Sequence, residues 1–342
     1  MSMPEGMAPP PPAVLMQMVM GRWVSQAIGA AVQVGLADQL PPGEARSADA
    51  LAAAASAHGP SVYRLLRALA SVGIFAEGPP GSFTHTPLSA LLREDTPGSL
   101  KPMALFMSTP EHVGAWIELQ HSVRTGGCAF VKAHGQAPWD YLREHPALGE
   151  IFNNAMTSFS AMAAGAVVQA YDFSGIGTLA DIGGGHGFLL GSILAARPEM
   201  RGILFDLPQV VEGAGPTLAK FGVSERVTRQ GGDFFASVPR ADAYIIKHIL
   251  HDWSDADSVR ILSSVRTAAP AGARVLIVEL VVDPRPGPDL AKLLDLEMLA
   301  VTTGGRERTE PEWTAVLTQA GLRLSRIVPT MSPHKVIEAV PA

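Results

Sequence analysis

The stretch Leu179-Ala180-Asp181-Ile182-Gly183-Gly184-Gly185-His186-Gly187 constrains this chain more than any other. A short apolar run ending in an acid feeds a glycine-packed turn, and the chain resumes at Phe188-Leu189-Leu190-Gly191-Ser192-Ile193-Leu194-Ala195 with helical spacing. Strand, tight turn and helix in succession are how an α/β sheet opens a binding crevice at the carboxyl end of a strand. Glycine supplies the unusual φ/ψ and the close ligand approach that such a turn demands. A dinucleotide fingerprint would need G-x-G-x-x-G. Counted from Gly183 the sixth position is Phe188, and from Gly185 it is Leu190, so neither register fits. The spacing present is D-x-G-x-G-x-G, with further acids at Asp206, closely followed by Pro208, and at Asp233. That pattern suits a nucleoside carrying an amino acid better than one carrying a pyrophosphate. A glycine-rich turn with no ligand is the alternative.

The 342 residues allow two domains, and a hydrophobic content of 47% supplies a large core. The formal net charge of −6 argues against a nucleic-acid-coating surface. A single cysteine, Cys128, excludes an internal disulfide and fits a reducing cytoplasm. No Cys/His cluster has metal-ligand spacing. The apolar stretch near the N-terminus lacks a preceding basic region, which argues against a signal peptide. Residues 13–37 come nearest to a membrane span, but Gln17, Arg22, Ser25, Gln26 and Gln33 are residues that a lone spanning helix would avoid. An amphipathic helix burying its Met/Val/Ile face against a partner is expected there, and with it a homodimer.

Residues 1–12, rich in Pro and Met, read as disordered, with helices following to about residue 56. Gly59 to Leu69 begins with proline in the first turn, carries a Val62/Leu65/Leu66/Leu69 stripe and meets Gly73 as a stop signal. Ile74-Phe75, the turn Gly78-Pro79-Pro80-Gly81 and Phe83-Thr84 then predict a small hairpin, completing a winged-helix pattern. Over residues 1–100, five arginines face seven acids. A phosphate-binding module should be clearly basic, so residues 1–100 read as a dimerisation scaffold. Residues 101–170 read as a helical linker and substrate-lining region. From residue 171 to 342 the texture alternates between strands and helices. The strands expected are 179–182, 202–206, 227–230, 243–247, 274–279, 323–328 and 335–339, an α/β doubly wound and mostly parallel sheet with an antiparallel edge.

The second informative stretch is Lys247-His248-Ile249-Leu250-His251-Asp252-Trp253-Ser254-Asp255, placed just past a strand, where ligand crevices form. Ser254 is positioned to cap the following helix. Glu279 ends a later strand, and Glu307 lies in Gly304-Gly305-Arg306-Glu307-Arg308. Either carboxylate could hold one nitrogen of the His251 imidazole and leave the other to take a proton.

Taken together, Asp181 through Gly187, Phe205-Asp206-Leu207-Pro208, Gly231-Gly232-Asp233-Phe234-Phe235, Lys247 through Trp253 and Gly304 through Arg308 resemble the S-adenosylmethionine-dependent O-methyltransferases. The likeness is to the plant caffeate and flavonoid type and its bacterial natural-product relatives, and it covers nearly the whole chain. It implies a Rossmann-like class I methyltransferase domain behind a mainly helical winged-helix dimerisation domain. It also implies S-adenosylmethionine as cofactor, S-adenosylhomocysteine as product, an aromatic hydroxyl as acceptor, and no metal. Gly183 and Gly185 would lie against the methionine part of the cofactor near Asp181, and Asp206, next to Leu207, would accept from both ribose hydroxyls. Asp233 and Phe234 would hold adenine, and Lys247 and Ser160 would meet the methionine carboxyl end. His251 would be the general base, flanked by Glu279 and Glu307, with Asp252 positioning the acceptor. Phe159, Ser108 and Thr302 depart from the plant pattern. A more apolar pocket lined by Met107, Met156, Phe159 and Met298 is therefore expected, suited to fused aromatic, quinone or polyketide-like phenols.

Two other readings stay in view. A relative could have turned the same fold to hydroxylation or decarboxylation, although His251, Glu279 and Glu307 together argue for methyl transfer. A winged-helix regulator is disfavoured by the acidic N-terminal region.

Overall fold

The computed structural model describes residues 9–79 and 81–342. It divides into two compact units, residues 1–109 and 110–342. Most of the N-terminal stretch expected to be disordered, and Pro80 of the hairpin turn, lie outside the described residues. Pro11 and Pro12, grouped with that stretch, instead open the helix Pro11–Gln33. Proline is at home there because its missing N–H would have no partner in a first turn.

In the N-terminal unit, Ser47 accepts from the Ala50 amide and caps the helix Ala48–Ala54. The helix Gly59–Ser71 buries Val62, Leu66 and Leu69, the stripe that its 3.6-residue period aligns. Strands β2 (Phe75–Glu77) and β3 (Ser82–His85) form the expected hairpin. Strand β1 (Arg46–Ser47), too short to be legible in the sequence, pairs with β3. Leu36, Leu40, Leu51, Leu66 and Phe83 are fully buried in this unit's core. The helix Lys101–Met107, grouped in the sequence with a linker, belongs to this unit, where Ser108 bonds the Gln33 amide at 3.1 Å.

The second unit carries the seven-stranded sheet. Its strands are β4 (Thr178–Ile182), β5 (Arg201–Asp206), β6 (Val227–Gly231), β7 (Ala243–Lys247), β8 (Arg274–Glu279), β9 (Leu322–Pro329) and β10 (Lys335–Pro341), in spatial order β6-β5-β4-β7-β8-β10-β9. Strands β4 to β8 pair in parallel. Strand β10 runs antiparallel to both β8 and β9. Both faces of the central strands are covered. Tyr244, Ile246, Val275 and Ile277 enter one apolar cluster, and Ala243, Ile245, Leu276 and Val278 enter the other. That two-sided burial is why these strands read as unbroken apolar runs rather than as alternation.

The helix Pro146–Ala170 is long and apolar enough by composition to cross a membrane. It nonetheless buries Ala155, Ala163, Ala164 and Val167 in this unit. Trp116 and Met162 are open and, in the N-terminal unit, so is Met107.

Parallel pairing places all the carboxyl ends of β4 to β8 along one edge. Strand order reverses between β4 and β7, the switch point where open α/β sheets bind ligands. Asp181, Asp206, Lys247 and Glu279 all stand at or next to strand ends on that edge.

Candidate active site

The glycine turn after β4 is held by Gly183 N–H donating to Phe205 O at 2.8 Å. Gly183 has φ +69°, and a Cβ there would lie 2.5 Å from the Ile249 side chain, so only glycine fits. Gly185, also at positive φ, has no protein atom within 4 Å of where its Cβ would be, which leaves the turn open on that side. The Gly185 amide donates to one Asp206 carboxylate oxygen at 2.8 Å and the Leu207 amide to the other at 2.7 Å. Each oxygen keeps a lone pair for a ligand donor. Burial pushes Asp206 up from the usual carboxylate range. Leu207 is exposed beside it. Asp181 is buried below the turn with one oxygen unpartnered. Burial raises it to about 7 despite the charge of Lys247.

Asp233 is exposed, with Oδ1 accepting from the Phe235 amide at 2.8 Å. Phe234 stands edge-on to Phe235 and Trp253, at 5.0 and 6.0 Å between ring centres. The open glycine turn, a carboxylate with free lone pairs and a half-buried aromatic face fit a nucleoside with an attached amino acid.

Lys247 ends β7, and burial lowers it to about 8 against the opposing pull of Glu279, Asp181 and Asp252. Its Nζ lies 6.0 Å from the centre of the Phe159 ring. Ser160, on the same helix as Phe159, donates to Met156 O at 2.8 Å. Met156 and Phe159 are half-buried. Met298 is buried, and Thr302 donates to its carbonyl at 2.6 Å while accepting from the Gly305 amide. Met107 lies in the other unit, exposed.

His251 sits in a short turn (Leu250–Asp252) after β7, buried. Its Nδ1 is 2.6 Å from Glu307 Oε1 and 3.6 Å from Glu279 Oε2, and its Nε2 is 3.6 Å from Asp252 Oδ1. Both glutamates are fully or almost fully buried. Burial pulls the imidazole's basicity down, but Glu279, Asp252 and Glu307 outweigh it and raise His251 to about 10. Burial, with the carboxylates of Glu307 and Glu297, raises Asp252 to about 6 against the pull of His251 and Lys247.

Two features of the Gly304–Arg308 segment fix this turn. A Cβ on Gly305 would fall 2.4 Å from His251 O, so the two backbones touch only because residue 305 is glycine. The buried Arg308 guanidinium donates to Leu250 O, Trp253 O, Ser258 Oγ and Asp255 Oδ1 at 2.8 to 3.1 Å, bracketing His251 and Asp252.

His248 and His334 also belong to this cluster. His248 Nδ1 is 3.6 Å from Glu279 Oε2, and its Nε2 is 2.6 Å from His334 Nε2. His248 stands inside the Lys247–Trp253 motif, where nothing in the sequence gives it a role, and His334, 86 residues away, carries no local signal. Ligand-type atoms of His248, His251 and Glu279 lie within 4.8 Å of one another, a grouping invisible in linear spacing.

Residues 116–323 match an O-methyltransferase domain, and residues 16–95 match an O-methyltransferase dimerisation domain. The phenazine O-methyltransferase PhzM of Lysobacter antibioticus is 44% identical over 98% of this chain and 97% of its own. The crystal structure of LaPhzM superposes with a TM-score of 0.94 at 43% identity, covering 98% of this chain and 100% of the other. The O-methyltransferase NcsB1 of neocarzinostatin biosynthesis, solved with S-adenosylmethionine and 2-hydroxy-5-methyl naphthoic acid, superposes with a TM-score of 0.78. It is 30% identical and covers 93% of this chain and 96% of its own. With this fold, these two domains and these relatives, the chain belongs to the S-adenosylmethionine-dependent O-methyltransferases.

Proposed function

We propose that this enzyme methylates a hydroxyl on a fused aromatic ring, with His251 as general base and without a metal. The observation that carries the reading is the buried contact of His251 Nδ1 with Glu307 at 2.6 Å. Glu307 is placed to accept from Nδ1–H, which supports Nε2 as the nitrogen that would exchange a proton with the acceptor.

Gly183 and Gly185 would give the methionine moiety close access to the backbone, with Asp181 beneath the turn. Asp206, beside Leu207, would accept from the ribose hydroxyls, and Asp233 and Phe234 would flank adenine. Lys247 and Ser160 would meet the methionine carboxyl end. S-adenosylmethionine, when bound, supplies a methyl group already activated on a sulfonium, whose positive charge opposes protonation of His251.

An ordinary histidine faces a phenol about 3.5 pKa units more basic, a gap of roughly 5 kcal/mol. Three carboxylates lift His251 to about 10, near the usual phenol value of about 10. The sulfonium charge would first expel the proton that His251 carries near neutrality; transfer during attack would then be close to level, with Glu307 and Glu279 neutralising the imidazolium that forms. Holding the acceptor oxygen in line contributes several kcal/mol more. Met156, Phe159, Met298, Asp252 and Thr302 would line the acceptor site. Their largely apolar character supports fused rings, as do a relative named for phenazine and a neighbour holding a naphthoic acid.

The test is product mass spectrometry with S-adenosylmethionine and a panel of hydroxyphenazines, hydroxynaphthoates, hydroxyquinones and caffeate. A product heavier by one CH₂, with equal S-adenosylhomocysteine, is expected for a fused-ring acceptor. Preference for caffeate would overturn the substrate assignment, and a gain of oxygen or loss of carbon dioxide would overturn the reaction.

The chain is also proposed to act as a homodimer through the helix Pro11–Gln33. Leu15, Met18, Val19 and Trp23 lie open on this helix. Monomeric sedimentation at micromolar concentration would refute this.

A further inference from the structure

His248 and His334 present a proton-counting problem with one answer. Their Nε2 atoms are 2.6 Å apart, so one proton lies between them, and one ring donates while the other accepts. Both rings are buried. Burial, with the charges of Lys247 and His251, lowers His334 to about 4, and the same influences take His248 well below the usual histidine range. Each ring is therefore neutral, with one N–H apiece. The direction of the shared bond then decides which face of His248 carries its proton.

The other nitrogen of His248 faces Glu279. Nδ1 is 3.6 Å from Glu279 Oε2, and both atoms are buried without a hydrogen-bond partner. Glu279 Oε1 is occupied by the Ile249 amide at 3.2 Å. If His334 donates to His248, then His248 carries its proton on Nδ1 and points an N–H at Glu279. If His248 donates to His334, a bare nitrogen faces a carboxylate oxygen, which is tolerable only when Glu279 is protonated. The far end accommodates either direction. His334 Nδ1 is 3.2 Å from Ser332 Oγ, which is itself 2.8 Å from Thr330 Oγ1. The serine proton can point to either neighbour.

Glu279 is the group for which this matters. Burial raises it, and the facing carboxylates of Glu307 and Asp252 add to the rise, while His251 and Lys247 pull it down. One further N–H is enough to tip such a balance.

We propose that His248 and His334 are positioning residues: their shared proton turns the His248 Nδ1–H toward Glu279 and holds that carboxylate ionised beside His251. This rests on His251 being the base and gives a role to two residues of the same cluster. His248 adopts φ +51°, a conformation that costs a non-glycine residue energy.

The experiment compares His334→Gln, whose amide nitrogen can replace the Nε2 donor, with His334→Leu, which cannot donate. Turnover is followed against pH at saturating S-adenosylmethionine, using the acceptor turned over fastest in the panel above. In His334→Leu the acid limb of kcat moves up by about one pH unit, the scale of turning one N–H dipole away from a buried carboxylate. In His334→Gln it stays at the wild-type position, and the KM for S-adenosylmethionine changes less than about twofold in both. Coincident acid limbs in wild type and His334→Leu, or equal shifts in both variants, would overturn the proposal. Nitrogen-15 NMR of the wild-type imidazoles gives a second readout that needs neither variant folding nor turnover. His248 is expected protonated on Nδ1 at pH 8, and protonation on Nε2 there would refute the proposal whatever the fate of the general-base reading.

Discussion

His251 Nδ1 and Glu307 Oε1 stand 2.6 Å apart although 56 residues separate them in the chain. The contact is buried, so neither group is screened by water, and the imidazole cannot turn without leaving a buried carboxylate unpaired. His251→Asn removes the proposed base and is expected to lower kcat by about 10²- to 10⁴-fold, with little change in S-adenosylmethionine affinity. Asp206→Ala should instead weaken that affinity. Calorimetric titration of both variants checks the separation, and an equal loss of cofactor affinity would show it mistaken.

Stability should carry the signature of His251. Its folded value of about 10 lies above the ordinary 6.5, so its stabilising contribution is complete below pH 6.5 and is lost as pH rises to about 10. Lys247, lowered to about 8, opposes this trend above that pH. The difference between wild type and His251→Asn isolates the histidine. The stability advantage of wild type over the variant, measured by denaturant titration, should shrink steadily between pH 6.5 and 10.

Arg308 makes its contacts with no exposure to water. Arg308→Ala removes the guanidinium donor from the carbonyls of Leu250 and Trp253, which keep the Ser258 hydroxyl and, for Leu250, the Trp253 amide, and should cost about 3–5 kcal/mol. Arg308→Lys should recover little, because an ammonium cannot reproduce the planar fork. Chemical denaturation gives the size, and a loss below about 1 kcal/mol for Arg308→Ala would contradict the clamp.

Gly305 and Gly185 should respond differently to alanine. At Gly305 the new Cβ would lie 2.4 Å from His251 O, forcing the catalytic turn apart, so kcat and melting temperature should fall together. Gly185 has open space and a positive φ, so Gly185→Ala should lower stability by only about 1–2 kcal/mol. Its larger effect should be on S-adenosylmethionine binding, read by calorimetry.

Metal removal should leave turnover intact. Prolonged dialysis against EDTA and dipicolinate is expected to change kcat less than about twofold, since the mechanism proposed above draws its electrophile and base from the cofactor and His251. Loss of activity restored by a divalent ion would make the His248/His251/Glu279 grouping a metal site instead.

Much of the sheet was legible because its signals are local. Leu179–Ile182, Ala243–Lys247 and Arg274–Glu279 are apolar runs that only a strand covered on both faces requires. Gly183 announces a turn through its backbone alone. By contrast, β1 is two residues long, and its pairing with Phe83 and Ser82 leaves no periodicity to read. Pro11 and Pro12 looked like the end of a loose segment, yet proline is equally the residue that starts a helix.

The sequence by itself determined the strand–turn–helix at Asp181–Ala195, the order of the strands along the chain, and a shortlist of His251, Glu279 and Glu307. It did so because backbone preference, side-chain period and strand-end position are encoded within a few neighbouring residues. Only the tertiary structure decided which carboxylate meets His251, that Arg308 and Gly305 brace its turn, and that His334 joins His248. Those contacts join residues 50 to 86 positions apart. The parallel sheet brings them together by gathering strand ends on one edge, and a contact across that edge leaves no trace in the spacing of either partner.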